Sequence, residues 1–218
     1  MSFAVVGYFA FLFIGLIVYY VLPKRVRWVW LLALSYIYYF TFSIKASVYM
    51  LFTTVVIYIG GVWLDKIIKE SDSYITANKA AMSRDEKKIY KEKTKKKKRI
   101  ALTIILLICF GQLAVIKYSD FTIENINSIL RLFGSDNVIA LPKFALPLGI
   151  SFFTFQSASY IIDIYQGKYE CQKNVFKLGL FVSFFPQLLQ GPIGRYDRLS
   201  SQLYNGNSFE LIKIQYGI

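Results

Sequence analysis

The chain has 218 residues, 56% of them hydrophobic, with a mean hydropathy of +0.44 and a formal net charge of +13. Soluble domains run at about 45–50% apolar, so this excess, gathered in long runs, indicates an integral membrane protein rather than a soluble domain. No histidine is present, which excludes a Ser-His-Asp or Cys-His centre within this polypeptide. Cys109 and Cys171 have no metal-ligand spacing, so neither a zinc site nor a disulfide is expected. The basic residues cluster between apolar runs, as the positive-inside rule demands, which argues against nucleic acid as the partner.

Residues 3–22 carry no charge, and about 20 such residues cross a hydrocarbon core. A signal peptide would need a basic stretch before the run and a small-residue cleavage site, and neither is present. Pro23 ends this first span, and Lys24, Arg25 and Arg27 follow. Spans are predicted at 28–42 and 46–64, joined by a loop with only Lys45. Residues 65–99 then hold 13 Lys or Arg against 6 Asp or Glu, half of all the basic residues. Ser83 and Glu86 have the spacing of a capping box opening a charged helix. The segment reads either as a solvated cytoplasmic helix that sets topology or as a docking surface for an acidic partner or anionic lipid.

A fourth span is predicted at 100–116. The basic loops at 23–27 and 65–99 then place the N-terminus outside, both loops in the cytoplasm, and the residues after Lys117 outside. Residues 119–134 read as a separate amphipathic helix at the interface, with Ile123, Ile126, Ile129, Leu130 and Phe133 in one stripe and Gly134 as its stop. Two further spans are expected at 144–165 and 175–190. The fold class is therefore all-α, a polytopic transmembrane helical protein of the plasma membrane.

The last third carries the strongest chemical signal. In PLGISFFTFQSASYIIDIYQG, residues 147–167, Gln156, Tyr160 and Asp163 stack on one helical face. They read as the lining of a polar tunnel or, residue by residue, as interhelical hydrogen-bonding groups. In FVSFFPQLLQGPIGRYDRL, residues 181–199, Pro186, Gly191, Pro192 and Gly194 require irregular backbone, tolerated at membrane depth only where protein or a cavity covers it. Pro186 frees a helical carbonyl, which Gln187 is expected to satisfy. Gly191-Pro192 turns the chain, and Arg195 suits a phosphate or carboxylate, or else Asp197 or a helix-end carbonyl.

FFPQLLQGPIGRYDRL resembles the signature of the membrane-bound O-acyltransferase family, in the branch of alginate O-acetyltransferases and D-alanyl transferases of teichoic acid. LPLGISFFTFQSASYIIDIYQG is similar to the motif that precedes it there, and the resemblance extends through KYSDFTIENINSIL and the KKKKR run over most of residues 80–200. The resemblance implies a ring of transmembrane helices around a thin core pierced by a tunnel. It implies an acyl donor entering from the cytoplasm, acetyl-CoA or an acyl-carrier-protein thioester, with no bound cofactor. The acceptor would be a hydroxyl of an extracytoplasmic glycan or envelope polymer, reached directly or through a partner transferase. Gln156, Tyr160, Asp163, Pro186, Gln187, Gly191, Pro192 and Arg195 would then line the tunnel or bind substrate.

Family members use a membrane-embedded histidine in the second half of the domain, and this chain has none. Asn207 and Glu210 resemble a helix cap just before the sequence stops, so the chain reads as the N-terminal half of a longer acyltransferase, inactive alone. Two alternatives compete: a non-enzymatic polytopic subunit for polymer export, and a scaffold that holds a partner enzyme at the membrane.

Overall fold

The computed structural model describes residues 3–42, 44–79, 82–133, 139–141, 149–190 and 194–206. Among these, α1 (Phe3–Val21), α2 (Arg27–Phe42), α3 (Ile44–Ala77), α4 (Arg84–Leu132), α5 (Ile150–Tyr165), α6 (Val175–Ser183), α7 (Phe185–Gln190) and α8 (Tyr196–Tyr204) account for most of the described residues, and no strand occurs among them. The all-α expectation holds. Two helices, Ser47–Ala77 of α3 and all of α4, are long and apolar enough to cross a membrane, and α1 and α6–α7 are shorter and apolar.

The core sits where α3, α4, α5 and α6 meet. Met50, Ile57 and Leu64 of α3, Ala101 and Ile105 of α4, Phe153 and Ile161 of α5, and Leu178 and Phe181 of α6 are buried there. Two adjacent glycines let the helices close. A Cβ on Gly60 would come within 2.7 Å of Ile105, and one on Gly61 within 3.4 Å of Ile164. The missing side chains bring α4 and α5 against the backbone of α3, the close approach that small residues permit between membrane helices.

Ser83 caps α4 as its spacing predicts. Glu86 N donates to Ser83 Oγ at 3.2 Å, and Ser83 N donates to Glu86 Oε2 at 2.8 Å. These bonds hold the Glu86 carboxyl below its usual range. The helix then runs unbroken for 49 residues. This differs from a span at 100–116 followed by a separate interfacial helix at 119–134. No proline or glycine lies between Lys117 and Leu132, so nothing stops the helix where its surface turns polar. The apolar stripe at Ile126 and Ile129 is exposed, and Asn127 on the other face bonds residue 139 through both its amide groups, at 2.8 and 2.9 Å. Gly134 and the Asn207–Glu210 cap lie outside the described residues.

The run expected as one span at 175–190 is two helices. Phe184 leaves the helical region at φ −57°, ψ 101° and separates α6 from α7. Pro186 is the cause: it has no N–H to give, and its ring would collide with the carbonyl four residues earlier. The nine residues of α6 rise about 14 Å, roughly half of a bilayer core of about 30 Å. Phe185 then packs against Tyr38, Phe11 and Tyr8 at 5.1, 5.5 and 6.3 Å. The chain returns to the end it entered from, because Tyr196 rests on Tyr160 and Tyr204 bonds the Lys177 carbonyl. The helix break thus sets α7 apart from α6, while α8 packs back beside the start of α6 and the end of α5.

Candidate functional site

The site forms where α6 and α8 meet α5, and it begins with the way α5 ends. Gly167 takes φ 74°, in the left-handed region that favours glycine. Gly167 N donates to Ile164 O at 2.9 Å and Lys168 N to Asp163 O at 3.1 Å, closing a Schellman turn. The turn folds Lys168 and Tyr169 back over the last turn of α5. Lys168 Nζ pairs with Asp163 Oδ1, and Tyr169 Oη donates to Asp163 Oδ2 at 3.3 Å. A carboxylate in an apolar run is thus neutralised by a cation five residues on, supplied by the turn.

The loop after the turn ties the site together. Gln172 N donates to Tyr160 Oη at 2.8 Å, and Gln172 Nε2 donates to Tyr196 Oη at 2.9 Å. Asn174 N donates to Gln172 Oε1 at 3.0 Å, while Asn174 Oδ1 caps α6. Around these bonds the rings of Tyr160, Tyr169, Phe181 and Tyr196 form an aromatic cluster, with neighbouring centroids between 4.8 and 6.1 Å apart. Burial pushes the Tyr169, Tyr196 and Tyr204 phenols above the usual tyrosine range, and the Asp163 carboxylate adds to this at Tyr169. Burial also raises the Cys171 thiol to about 11, with Asp65 adding to it.

This cluster lies at the basic end of the bundle. Lys69 joins Glu170 at 3.0 Å, Lys98 sits 5.2 Å from the Tyr165 ring centre, and Lys177 lies over Trp28 and Tyr204. Deeper along α5, Gln156 is 1% exposed and its Nε2 donates to Phe181 O at 3.0 Å. Gln156 Oε1, Ser157 Oγ and Ser183 Oγ are buried and accept or donate no hydrogen bond. The break in α6 is thus flanked by polar groups with spare bonding capacity inside an apolar core.

The structure places Gln156, Tyr160 and Asp163 on one buried face, as the spacing predicts. It gives each a protein partner: a carbonyl, a backbone amide and a lysine. Pro186 stands at the helix break. Gln156 bonds the Phe181 carbonyl near the helix break, and the Gln187 amide lies against the place where a Cβ on Gly194 would be. Arg195 is exposed and starts α8, with no hydrogen bond or ion pair to its guanidinium among the described residues; Asp197 bonds Arg198 N instead. Gly191 and Pro192 lie outside the described residues. Tyr169, Gln172, Tyr196, Ser157 and Ser183 were not anticipated. A glycine directly after a periodic helix was the signal for the turn that positions Tyr169. Among the described residues no group of three His, Cys, Asp or Glu is placed to hold a metal.

The chain is 38% identical over 105 residues to the probable alginate O-acetylase AlgI of Pseudomonas putida, covering 48% of this chain and 21% of that protein. It is 37% identical over 103 residues to the probable alginate O-acetylase AlgI of Pseudomonas aeruginosa, covering 47% of this chain and 19% of the relative. The peptidoglycan O-acetyltransferase of Helicobacter pylori is 31% identical over 146 residues, which is 56% of this chain and 27% of that protein. No family model and no solved structure matches the chain. Over about half of its length the chain is thus similar to bacterial proteins named alginate O-acetylase and peptidoglycan O-acetyltransferase, and it spans about a fifth to a quarter of their length.

Proposed function

We propose that the chain is part of a plasma-membrane O-acyltransferase that moves an acyl group, acetyl by its relatives' names, to a hydroxyl of an extracytoplasmic polysaccharide or envelope polymer. The observation that carries this reading is the similarity to proteins named O-acetylase and O-acetyltransferase. The positive-inside rule makes the basic end cytoplasmic and the N-terminus external. A thioester donor, acetyl-CoA or an acyl-carrier protein, then approaches the end where Arg195 is exposed. Arg195 suits a donor phosphate, since a guanidinium is always charged and pairs with phosphate in two bonds. The break between α6 and α7, beside Gln156 at Phe181, supplies irregular backbone and unsatisfied polar groups where a substrate path would cross an apolar core.

The 218 residues contain no histidine, so the chain shapes and binds rather than acting as general base. On this reading, residues 1–218 alone transfer no acetyl group. The test is the O-acetyl content of extracellular and envelope polymers in cells whose gene is deleted and then restored. Loss on deletion and recovery with the intact gene supports the reading; unchanged content in the deletion strain overturns it.

A further inference from the structure

Outside the site, the largest uncompensated feature is the arm that α4 sends past the basic end. Arg84, Lys88, Lys91, Lys95 and Arg99 recur at steps of four, three, four and four, which puts them in one stripe along the helix. All five are exposed. Among the described residues none of them makes an ion pair, whereas the lysines of neighbouring α3 do: Lys66 with Glu70, Lys69 with Asp65 and Glu170. Four of the stripe's residues, with Lys87 and the single carboxylate Glu92, line a shallow groove of about 320 Å³ or fall beside it. The adjacent face of α4 is braced on α3 by Tyr90 stacked on Tyr74 at 4.5 Å and by Ser71 Oγ bonded to Thr94 Oγ1 at 3.3 Å.

Length decides what this stripe can meet. The apolar stretch 100–116 rises only about 25 Å at 1.5 Å per residue. That is short of a core of about 30 Å, so α4 has little room to tilt and stands near the bilayer normal. Lys95 and Arg99 then fall in the headgroup layer, about 5–7 Å deep on each side. Lys88 and Arg84 lie about 17 and 23 Å along the helix beyond Arg99, clear of the headgroups by more than a Debye length of about 8 Å. A lipid surface accounts for the proximal half of the stripe and not for the distal half. A second copy of the chain does not fit either, because it would set the same cations against each other.

We propose that Arg84, Lys88 and Lys91 form a docking surface for a soluble cytoplasmic protein that presents a row of carboxylates at helical spacing. The inference rests on the arm and on the membrane topology read from the basic loops, and it is independent of the transferase reading. It is tested with the full chain in phosphatidylcholine nanodiscs and a labelled helical peptide carrying glutamates at i, i+4 spacing. The peptide binds, and binding weakens as salt rises. R84E/K88E/K91E weakens it by about tenfold or more, with unchanged helicity because all three side chains are exposed. Adding phosphatidylglycerol to the disc leaves binding in place. Equal binding by the triple variant overturns the proposal. Loss of binding in phosphatidylglycerol overturns it in favour of the membrane, and tighter binding of an RNA oligonucleotide at the same salt in favour of nucleic acid. A nitroxide at position 88 gives a check that needs no charge reversal: a water-soluble relaxant reaches it and a headgroup-tethered one does not, and the reverse contradicts the proposal.

Discussion

Gln156 Nε2 donates to the carbonyl oxygen of Phe181 at 3.0 Å, and this bond ties α5 to the broken end of α6. Phe181 lies in the last turn of α6, where carbonyls have no partner in their own helix. Pro186 stops the chain from providing one by continuing. A side chain from another helix therefore does what a helical N–H would have done.

Removing that donor leaves a buried carbonyl unbonded. Gln156→Leu should cost about 1–3 kcal/mol, read as a lower melting temperature of the detergent-solubilised protein. Gln156→Glu should also cost stability, because holding a carboxyl in this buried apolar site carries a desolvation penalty that the neutral amide does not. A melting temperature unchanged in both variants would show that the break is held by other contacts.

Asp163 and Lys168 should respond unequally. The Asp163 side chain is 8% exposed and that of Lys168 45%. Lys168→Met strands a buried carboxylate with only Tyr169 as a donor, whereas Asp163→Asn leaves a lysine that water can reach. The lysine variant should lose more stability, by about 1–3 kcal/mol. Equal losses in thermal unfolding would contradict the pairing.

The tyrosine cluster makes the fold sensitive to alkali. The Tyr169, Tyr196 and Tyr204 phenols titrate higher in the fold than in an unfolded chain, because burial disfavours the phenolate. Raised folded values mean that their stabilisation is fully present below the unfolded tyrosine value of about 10 and is lost as pH rises above it. Melting temperature should hold level from neutral pH to about 9 and fall beyond 10, with a smaller fall in Tyr196→Phe. A pH-independent melting curve through that window would count against the cluster.

Much of this was legible in the residues. Apolar runs marked the helices, Ser83 and Glu86 marked a cap, and the spacing of Gln156, Tyr160 and Asp163 marked one inward face. Pro186 marked a break but not its consequence. A proline ends a helix locally, while the return of Tyr196 to Tyr160 depends on packing between residues 36 apart in sequence. The continuity of α4 past Lys117 was missed because hydropathy locates a membrane boundary, and a helix needs no boundary there.

Two glycines should behave in opposite ways. Gly206 has φ 60°, and a Cβ there would stand 2.6 Å from the Lys24 carbonyl oxygen. Gly206→Ala should destabilise by about 1–2 kcal/mol or more and loosen the contact of Gly206 with Arg27. Gly111 is helical with open space around it, so Gly111→Ala should be neutral or stabilise by up to about 1 kcal/mol. Thermal unfolding of the two variants side by side reads both signs.

The Arg195 assignment predicts a separable defect. Arg195→Ala should leave the melting temperature in place, because the side chain is exposed, and raise the KM for a phosphate-bearing donor in the intact enzyme. An unchanged KM would remove Arg195 from donor binding.

The most direct measurement is the acetyl ester content of the cell's extracytoplasmic polymers, compared between the wild type, a strain lacking the gene and the same strain with the gene restored. Acyl transfer by the protein of which these residues are part predicts that esters disappear on deletion and return on restoration. Esters that persist undiminished in the deletion strain would contradict it.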